Sequence, residues 1–345
     1  MVDLASSPRL PYAATAVDGS ARVALGRLGD ALRRPGAEAW AGPLMLGDPV
    51  DRGEFDRRLG PDVANTLIGA GLAAEWGSEL VLAVVIADIG GVLTAVPKFA
   101  WGDEIVYFGQ DSSYLVEAVV RLAPRGERAA ELGTGTGLLA VVLGWRYRTV
   151  VATDLARSVT AAADVTLALN PAPDGHAVGV CVADVARGLR PGAFDLVVAN
   201  APWVPLASDV AAPRELFAHG GDDGVALPRR FLLEGAPLLR PGGVAITLAL
   251  DVELVGDRRP LLGVCEQLRA DGFVVAVLPT PFNRDRPRLP ELMAERQPSV
   301  TAAVHVAVVV ARPADPSDRR ESLMVAAEAL RRRWEASPTA GGDPL

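Results

Sequence analysis

Residues 129–140, AAELGTGTGLLA, decide the fold of this 345-residue chain. A strand-like run that carries Glu131 leads into a turn with glycine at 133, 135 and 137, and an apolar helix starts directly after the turn. Glycine has no Cβ atom, so such a turn bends sharply and lets the backbone come into contact with a ligand. The stretch therefore predicts the floor of a nucleotide-like cofactor site.

The residues after this turn alternate between β-rich runs and helical stretches. The β-rich runs lie near residues 129–132, 149–153, 177–182, 194–199, 244–250, 273–278 and 302–311. They are apolar and rich in β-branched residues without strict alternation, which is typical of a parallel sheet that is buried on both faces. We predict an α/β fold, a Rossmann-like seven-stranded sheet in a domain spanning residues 106–345.

Residues 1–105 are predicted to form a smaller domain. Helical patterns at about 20–34, 55–59 and 61–72 precede two β-rich runs at 79–86 and 91–96, which we expect to pair as a hairpin. Helices followed by a hairpin suggest a helical, winged-helix-like domain. With 9 lysines and arginines against 14 acidic residues, its formal charge is −5. A cap over the substrate or a dimer contact is the favoured interpretation; a nucleic-acid-binding regulator with a vestigial cofactor site is the alternative.

The composition of the chain argues against several classes of binding partner. The formal charge of the chain is −8, which disfavours nucleic-acid binding, since affinity for duplexes comes from neutralising phosphates. Cys181 and Cys265 lie in apolar runs and are expected to be buried thiols, and no cysteine or histidine spacing indicates a metal site. No apolar leader segment opens the chain and no apolar run reaches membrane-spanning length, so we expect a soluble, cytoplasmic protein without membrane contact; a homodimer stays open.

Three acidic residues end three consecutive strands. Glu131 directly before the glycines would repel a pyrophosphate but suits a ligand with a positive charge, and the glycine spacing differs from the GxGxxG of dinucleotide enzymes. Asp154 can accept hydrogen bonds from both hydroxyls of a ribose, or cap the next helix. Asp184 can accept from an exocyclic adenine amine, or simply occupy a turn. Together the three acids predict a nucleoside that bears an amino acid, S-adenosylmethionine.

The fourth strand ends in Asn200-Ala201-Pro202-Trp203. With ELGTGTG, ATDLA, VADV, FDLVVANAPW and GGDDGVALPRRFLLEGAPLLRPGG, the chain resembles the class I methyltransferases. Among these it resembles the (N/D)PPY amino-methyltransferases, which include the N5-glutamine methyltransferases of release factors. The resemblance covers roughly residues 107–311. Ala201 and Trp203 depart from the family pattern, in which proline and tyrosine stand.

The resemblance implies roles for individual residues. The Asn200 side-chain oxygen and the Pro202 carbonyl would accept hydrogen bonds from a planar NH2 group, while Trp203 offers a face to a flat or cationic group. Tyr107, Gln110 and Asp111 precede the helix that closes over the cofactor in the resembling families, so one or two of them would touch it. For Tyr107, packing in the core or linker is an equal alternative. The full set of expected cofactor contacts is Tyr107, Gln110, Asp111, Glu131, Gly133, Thr134, Gly135, Gly137, Asp154, Asp184 and Asn200.

Two further stretches are candidates for the substrate side. Residues 215–224, ELFAHGGDDG, follow residues 200–203, which are called the Asn200 motif below. They carry Glu215, His219, Asp222 and Asp223, which could bind a cationic substrate or belong to a solvated loop. Residues 279–298 are rich in proline and charge and are a candidate lid.

These observations predict an S-adenosylmethionine-dependent N-methyltransferase that acts on an amide, guanidino or amino nitrogen of a small metabolite or amino acid. A protein-glutamine N5-methyltransferase of the release-factor type is the alternative, so the partner is a small-molecule or peptide substrate.

Overall fold

The structure is a computed structural model that describes residues 17–97, 109–206, 218–315 and 319–336. Its centre is the predicted seven-stranded sheet, in the spatial order β11-β12-β10-β9-β6-β7-β8. The strands are β6 Gly126–Leu132, β7 Tyr147–Asp154, β8 Ala177–Val182, β9 Phe194–Asn200, β10 Leu239–Leu254, β11 Val274–Pro279 and β12 Val300–Ala311.

The sheet is mixed rather than wholly parallel. Strands β6 to β10 pair in parallel, whereas β12 runs antiparallel to both β10 and β11. An apolar strand that is buried on both faces has the same sequence pattern in either direction, so the pattern could not reveal the reversal. In β9, residues 194–199 are buried, as expected for a central strand that is covered on both sides.

Helices from residue 110 onwards connect these strands and cover the sheet. They are α5 Gln110–Leu122, α6 Leu138–Gly144, α7 Arg157–Leu169, α8 Ala226–Gly235, α9 Pro260–Ala270, α10 Phe282–Asp285, α11 Leu289–Arg296 and α12 Arg319–Ala336. None of the described helices is long and apolar enough to cross a membrane.

The described residues 17–97 of the N-terminal region form four helices and five short strands. Its elements are α1 Gly19–Leu32, α2 Glu38–Met45, β1 Val50–Asp51, α3 Arg52–Leu59, α4 Pro61–Gly69, β2 Ala73–Trp76, β3 Glu79–Leu82, β4 Val84–Ile89 and β5 Val92–Pro97. Strands β1, β3 and β2 form one small sheet in that order, and β4 pairs with β5 in another. The predicted helical character of this region is confirmed. The order of helix, strand, two helices and two strands from α2 to β3 resembles a winged helix, but its strand pair is β2 with β3 and not the predicted hairpin.

Two details of this region differ from the prediction. Helix α2 was not predicted; it carries an internal proline, Pro43, which usually disfavours a helix interior. The run at residues 79–86 is divided at Ala83 between two sheets, so only its second half pairs with the following run. The first half pairs instead with β2, across a turn at Gly77 with φ +63°.

The N-terminal region docks on α7. Apolar side chains of α1, α4 and β5 share one buried cluster with Val165, Ala168 and Leu169. The Asn170 side chain accepts from the Leu93 amide at 3.0 Å and donates to the Leu93 carbonyl at 2.7 Å, as a neighbouring strand would. A cap over the substrate stays a prediction, because the cavity described below takes no wall from residues 17–97. The expected boundary near residue 105 lies outside the described residues.

The arginines of α3 are engaged with acidic neighbours. Arg52 pairs with Asp56 and Glu75, and Arg57 and Arg58 both pair with Glu54. These ion pairs neutralise the positive charge that a nucleic-acid-binding helix would have to present to phosphates.

One expectation about the cysteines is wrong. Cys265 is buried, but Cys181 is exposed. Cys181 lies in β8, which is the edge strand of the sheet, and the apolar composition of this strand does not show that one of its faces meets solvent.

Candidate active site

A cavity of about 620 Å³ lies at the carboxyl ends of β6, β7, β8 and β9. The strand register brings these ends together: Leu132 is opposite Thr153, Asp154 is opposite Val182, and Asn200 is opposite Leu248. The edge of an open α/β sheet where the strand order reverses is where such folds bind ligands.

Most of the predicted site residues line this cavity. They are Glu131, Gly133, Thr134, Gly135, Asp154, Asp184, Asn200, Pro202 and Trp203. Gln110, Asp111 and Gly137 do not reach its wall, and Tyr107 lies outside the described residues.

The three glycines of the turn all have left-handed backbone conformations, with φ of +73°, +54° and +79° at Gly133, Gly135 and Gly137. L-residues with a side chain rarely adopt this region. Gly137 faces α7 instead of the cavity, and a Cβ atom there would lie 3.0 Å from Ala163. Its contribution is therefore the close packing of α6 against α7, which holds the turn in place.

Glu131 is buried in the floor, with 4% of its surface exposed. Thr134 Oγ1 donates a hydrogen bond of 2.7 Å to its Oε2 atom. Burial in a low-dielectric environment raises the pKa of the Glu131 carboxyl to about 8, and the neighbouring Asp154 charge adds to this. A cationic group in the cavity would offset this penalty and favour the ionised carboxylate.

Asp154 connects the end of β7 to the glycine turn. Its Oδ2 atom accepts from the Gly135 amide at 3.0 Å, and its Oδ1 atom accepts from the Ala156 amide at 3.2 Å. Burial raises the pKa of Asp154, while the hydrogen bond from Gly135 opposes the rise. The carboxylate thus fixes the turn and the start of α7, and it still lines the cavity.

Asp184 makes an ion pair that the sequence did not predict. Arg230 Nη1 lies 2.9 Å from Asp184 Oδ1, and Arg230 Nε lies 2.9 Å from Glu234 Oε1. The hydrogen bond from Arg230 lowers the pKa of Asp184. Both partners of the Asp184–Arg230 pair are more than 40% exposed in their side chains, so the pair is at the solvent side of the cavity.

Phe231 was also missed, although it lies in the stretch that carries the family resemblance. Its ring lies where a Cβ atom on Gly133 would be 3.2 Å away, so it covers the glycine turn. Helix α8 therefore supplies three cavity residues, Leu227, Arg230 and Phe231. Their only signal in the sequence was their place in GVALPRRFLLEG.

Asn200 is held by a residue from a distant part of the chain. Its Nδ2 atom donates to Ser112 Oγ at 3.2 Å. Within the described residues, no hydrogen bond is formed by Asn200 Oδ1, which is thus available in the cavity wall. Pro202 follows on the same wall and has no backbone N–H group, so its carbonyl is the polar group that it offers.

Trp203 contacts the cavity but is 92% covered, since only 8% of its surface is exposed. Its ring packs edge to face on Phe282 and His305, with centroid distances of 5.7 and 4.9 Å. Its Nε1 atom donates to Asp111 Oδ2 at 3.4 Å. Burial lowers the pKa of His305 to about 3, so the imidazole is neutral. Trp203 is therefore a rigid part of the wall.

The stretch at residues 218–224 supports the Asn200 motif from outside. The Val204 amide donates to the Ala218 carbonyl and the Gly220 amide donates to the Val204 carbonyl, both at 2.8 Å. A Cβ atom on Gly220 would lie 2.8 Å from the Trp203 backbone, and one on Gly224 would lie 2.8 Å from the Trp203 carbonyl oxygen. His219, Asp222 and Asp223 do not line the cavity, and Glu215 is outside the described residues.

The proline-rich stretch at residues 279–298 lies behind this wall and contributes no residue to the cavity. It forms α10 and α11, and its Phe282 packs on Trp203. Its role as a lid stays a prediction.

Comparison with known proteins identifies related chains. Residues 108–247 match the family described as methyltransferase small domain. The release factor glutamine methyltransferase of Deinococcus radiodurans is 33% identical over 167 residues, which are 46% of this chain and 56% of that protein. The protein of the same name from Moorella thermoacetica is 38% identical over 157 residues, 41% of this chain and 52% of its own length. The chain thus spans about half the length of the curated relatives it matches.

Solved structures with a similar arrangement include TYW2 of M. jannaschii in complex with AdoMet, at 14% identity and a TM-score of 0.43. The match covers 69% of this chain and 92% of that one. The phosphoethanolamine N-methyltransferase 2 of Haemonchus contortus, in complex with S-adenosyl-L-methionine, is 15% identical at a TM-score of 0.40, covering 59% and 53%. These likenesses are too distant to bear on activity. The family match agrees with the resemblance predicted from ELGTGTG and the Asn200 motif, because residues 108–247 are similar to the methyltransferase small domain.

Proposed function

We propose that the protein is an S-adenosylmethionine-dependent N-methyltransferase that acts on a planar nitrogen. The observation that carries the proposal is the strand register, which brings Glu131, Asp154 and Asn200 to one edge of the sheet around one 620 Å³ cavity. The family match over residues 108–247 supports it.

The chemistry of the cavity wall fits this cofactor. Glu131 is a buried carboxyl that lacks a cationic partner among the described residues, which suits the amino group or sulfonium of an amino-acid moiety. Asp154 also lines the cavity, and a carboxylate can accept hydrogen bonds from ribose hydroxyls, which supports the same cofactor. Gly133 and Gly135 line the cavity and have no Cβ atom, which favours a close approach of a ligand to the backbone. Asp184 can accept a hydrogen bond from the exocyclic amine of the adenine. Its carboxylate is paired with Arg230 in this structure, so the adenine amine would compete with Arg230 for it.

The part of the cavity wall formed by Asn200 and Pro202 can orient the nitrogen that is to be methylated. The nitrogen of an amide has a delocalised lone pair and is a poor nucleophile, so the enzyme must hold it in line with the methyl group of the sulfonium. Asn200 Oδ1 and the Pro202 carbonyl can each accept a hydrogen bond from its NH2 group, which stabilises the charge that develops on nitrogen. Bound S-adenosylmethionine would supply the methyl group and leave as the neutral thioether, and the methylated nitrogen would release its proton to solvent.

A carboxamide is the acceptor that the comparisons favour, because the curated relatives are named release factor glutamine methyltransferases. A small molecule remains the second candidate. It is supported by Ala201 and Trp203, which depart from the pattern of the resembling family. The acidic charge and the paired arginines of α3 argue against a nucleic-acid partner.

The test is transfer of a labelled methyl group from S-adenosylmethionine to three acceptors: a purified peptide release factor, free glutamine, and free arginine as a guanidino compound. Labelling of any of them at a side-chain nitrogen supports the proposal, and the acceptor that is labelled identifies the substrate class. Tight binding of S-adenosylhomocysteine without labelling of a nitrogen in any candidate would contradict the nitrogen assignment while keeping the cofactor.

A further inference from the structure

The first turn of α5 holds both ends of the Asn200 motif. Ser112 Oγ accepts a hydrogen bond of 3.2 Å from Asn200 Nδ2, and Asp111 Oδ2 accepts one of 3.4 Å from Trp203 Nε1. Asp111 is completely buried, whereas Ser112 lines the cavity. Two consecutive residues of one helix thus contact the first and last residues of the motif, from 88 and 92 positions away in sequence.

The orientation of the Asn200 carboxamide determines what the cavity offers. The group has an acceptor end and a donor end of nearly the same shape, and a half-turn about its last bond exchanges them. With the oxygen in the cavity, Asn200 can accept from an NH2 group. With Nδ2 in the cavity, its NH2 group would face the NH2 group of the substrate. Two hydrogen-bond donors would then oppose each other, and the nitrogen to be methylated would be repelled.

We propose that Ser112 is a positioning residue that selects the first orientation. Its hydroxyl oxygen gives the Asn200 NH2 group a partner outside the path of the acceptor, so that Oδ1 stays directed to the acceptor nitrogen. The inference rests on the proposed function for its role in turnover, while the orientation itself can be observed without any acceptor.

The neighbouring serine offers a matched control. Ser113 is exposed, and its hydroxyl donates to the Gln110 backbone carbonyl within the same turn. Ser112 and Ser113 therefore share the helix, the residue type and the position near its start. Only Ser112 contacts Asn200, so a general effect of removing a hydroxyl from this turn would appear in both.

The kinetic test compares Ser112→Ala, Ser112→Thr and Ser113→Ala, each alone and combined with Asn200→Asp. We expect Ser112→Ala to lower kcat about tenfold, the value of one net hydrogen bond, with the KM for S-adenosylmethionine within about twofold of the wild type. Ser112→Thr keeps the hydroxyl and should retain at least about half of kcat, and Ser113→Ala should match the wild type.

The Asn200→Asp background separates positioning from structural support. A carboxylate has two acceptor oxygens, so its rotation is of no consequence. Ser112→Ala should then cost less than about twofold in kcat, and the two substitutions are strongly non-additive. An equal tenfold loss in both backgrounds would overturn the proposal, since it would show that Ser112 supports the fold and not the orientation.

A spectroscopic readout makes the result independent of turnover. The ¹⁵N-labelled side-chain amide signal of Asn200, assigned by its disappearance in Asn200→Asp, should exchange slowly with solvent in the wild type and in Ser113→Ala. It should exchange at least about tenfold faster in Ser112→Ala. Unchanged exchange in Ser112→Ala contradicts the proposal. If the wild-type protein transfers no methyl group, the proposed function fails, whereas this signal still decides the role of Ser112.

Discussion

The two halves of the cavity are built in different ways. The half around the glycine turn is local: Glu131, Thr134 and Gly135 are within five residues of each other, and Asp154 reaches them through the adjacent strand. The half around Asn200 is assembled from distant segments, because α5, α10, β12 and residues 218–224 all contact residues 200–204. Changes in the first half should therefore alter cofactor affinity, while changes in the second should alter turnover.

The largest effect is expected for Asn200→Ala. The substitution removes the side-chain oxygen that would stabilise charge on the acceptor nitrogen, so kcat should fall about 100- to 1,000-fold, as for the loss of one donor or acceptor in a preorganised site. The Kd for S-adenosylhomocysteine should stay within about threefold. Steady-state kinetics and calorimetry measure the two quantities; turnover near the wild-type value would refute the assigned role.

On the other half, Asp154→Ala should weaken cofactor binding. It removes the carboxylate that accepts from the Gly135 and Ala156 amides and lines the cavity. We expect the Kd for S-adenosylhomocysteine to rise about 30-fold or more, because charged hydrogen bonds are each worth about 1.5–3 kcal/mol. Asp174→Ala, an exposed aspartate before β8, is the control and should bind normally. Equal affinities for the two variants would show that Asp154 does not contact the ligand.

A smaller effect is expected for Gly224→Ala, and its comparison with Gly175→Ala distinguishes displacement of the cavity wall from backbone strain. Gly224 has φ +69°, and a Cβ atom there would lie 2.8 Å from the Trp203 carbonyl oxygen, so Gly224→Ala should displace the wall. We expect kcat to fall about tenfold with little change in cofactor affinity. Gly175 has a comparable φ of +80° with nothing within 4 Å, so Gly175→Ala tests strain alone and should leave kcat unchanged.

The last effect concerns the pH dependence of stability and leaves turnover aside. The pKa of Glu131 is about 8 in the folded protein against 4.5 for the free side chain. Between these values the folded state keeps a proton that the unfolded state has lost, so this group lowers the free energy of unfolding as pH rises, by at most about 1.4 kcal/mol per pH unit. Denaturant titrations of the ligand-free protein from pH 5 to pH 8 measure it. In Glu131→Gln this contribution should vanish; identical slopes in both proteins would show that Glu131 is ionised.

The same division explains what the sequence could predict. The acids and glycines of the first half follow from strand ends and turn chemistry, which are properties of neighbouring residues. The contacts of Asn200 with Ser112 and of Trp203 with His305 depend on how remote elements pack, and no pattern in either segment indicates them. Arg230 was missed for the same reason, since its pairing with Asp184 needs α8 to lie across the end of β8. The antiparallel β12 and the docking of β5 on α7 are further results of packing.

The most direct test of the account is a calorimetric titration of three proteins with S-adenosylhomocysteine: wild type, Asn200→Ala and Asp154→Ala. NAD serves as the comparison ligand. The account predicts one site with similar affinity in the wild type and Asn200→Ala, much weaker binding in Asp154→Ala, and no binding of NAD. Tight binding of NAD, or equal S-adenosylhomocysteine affinity in all three proteins, would contradict it.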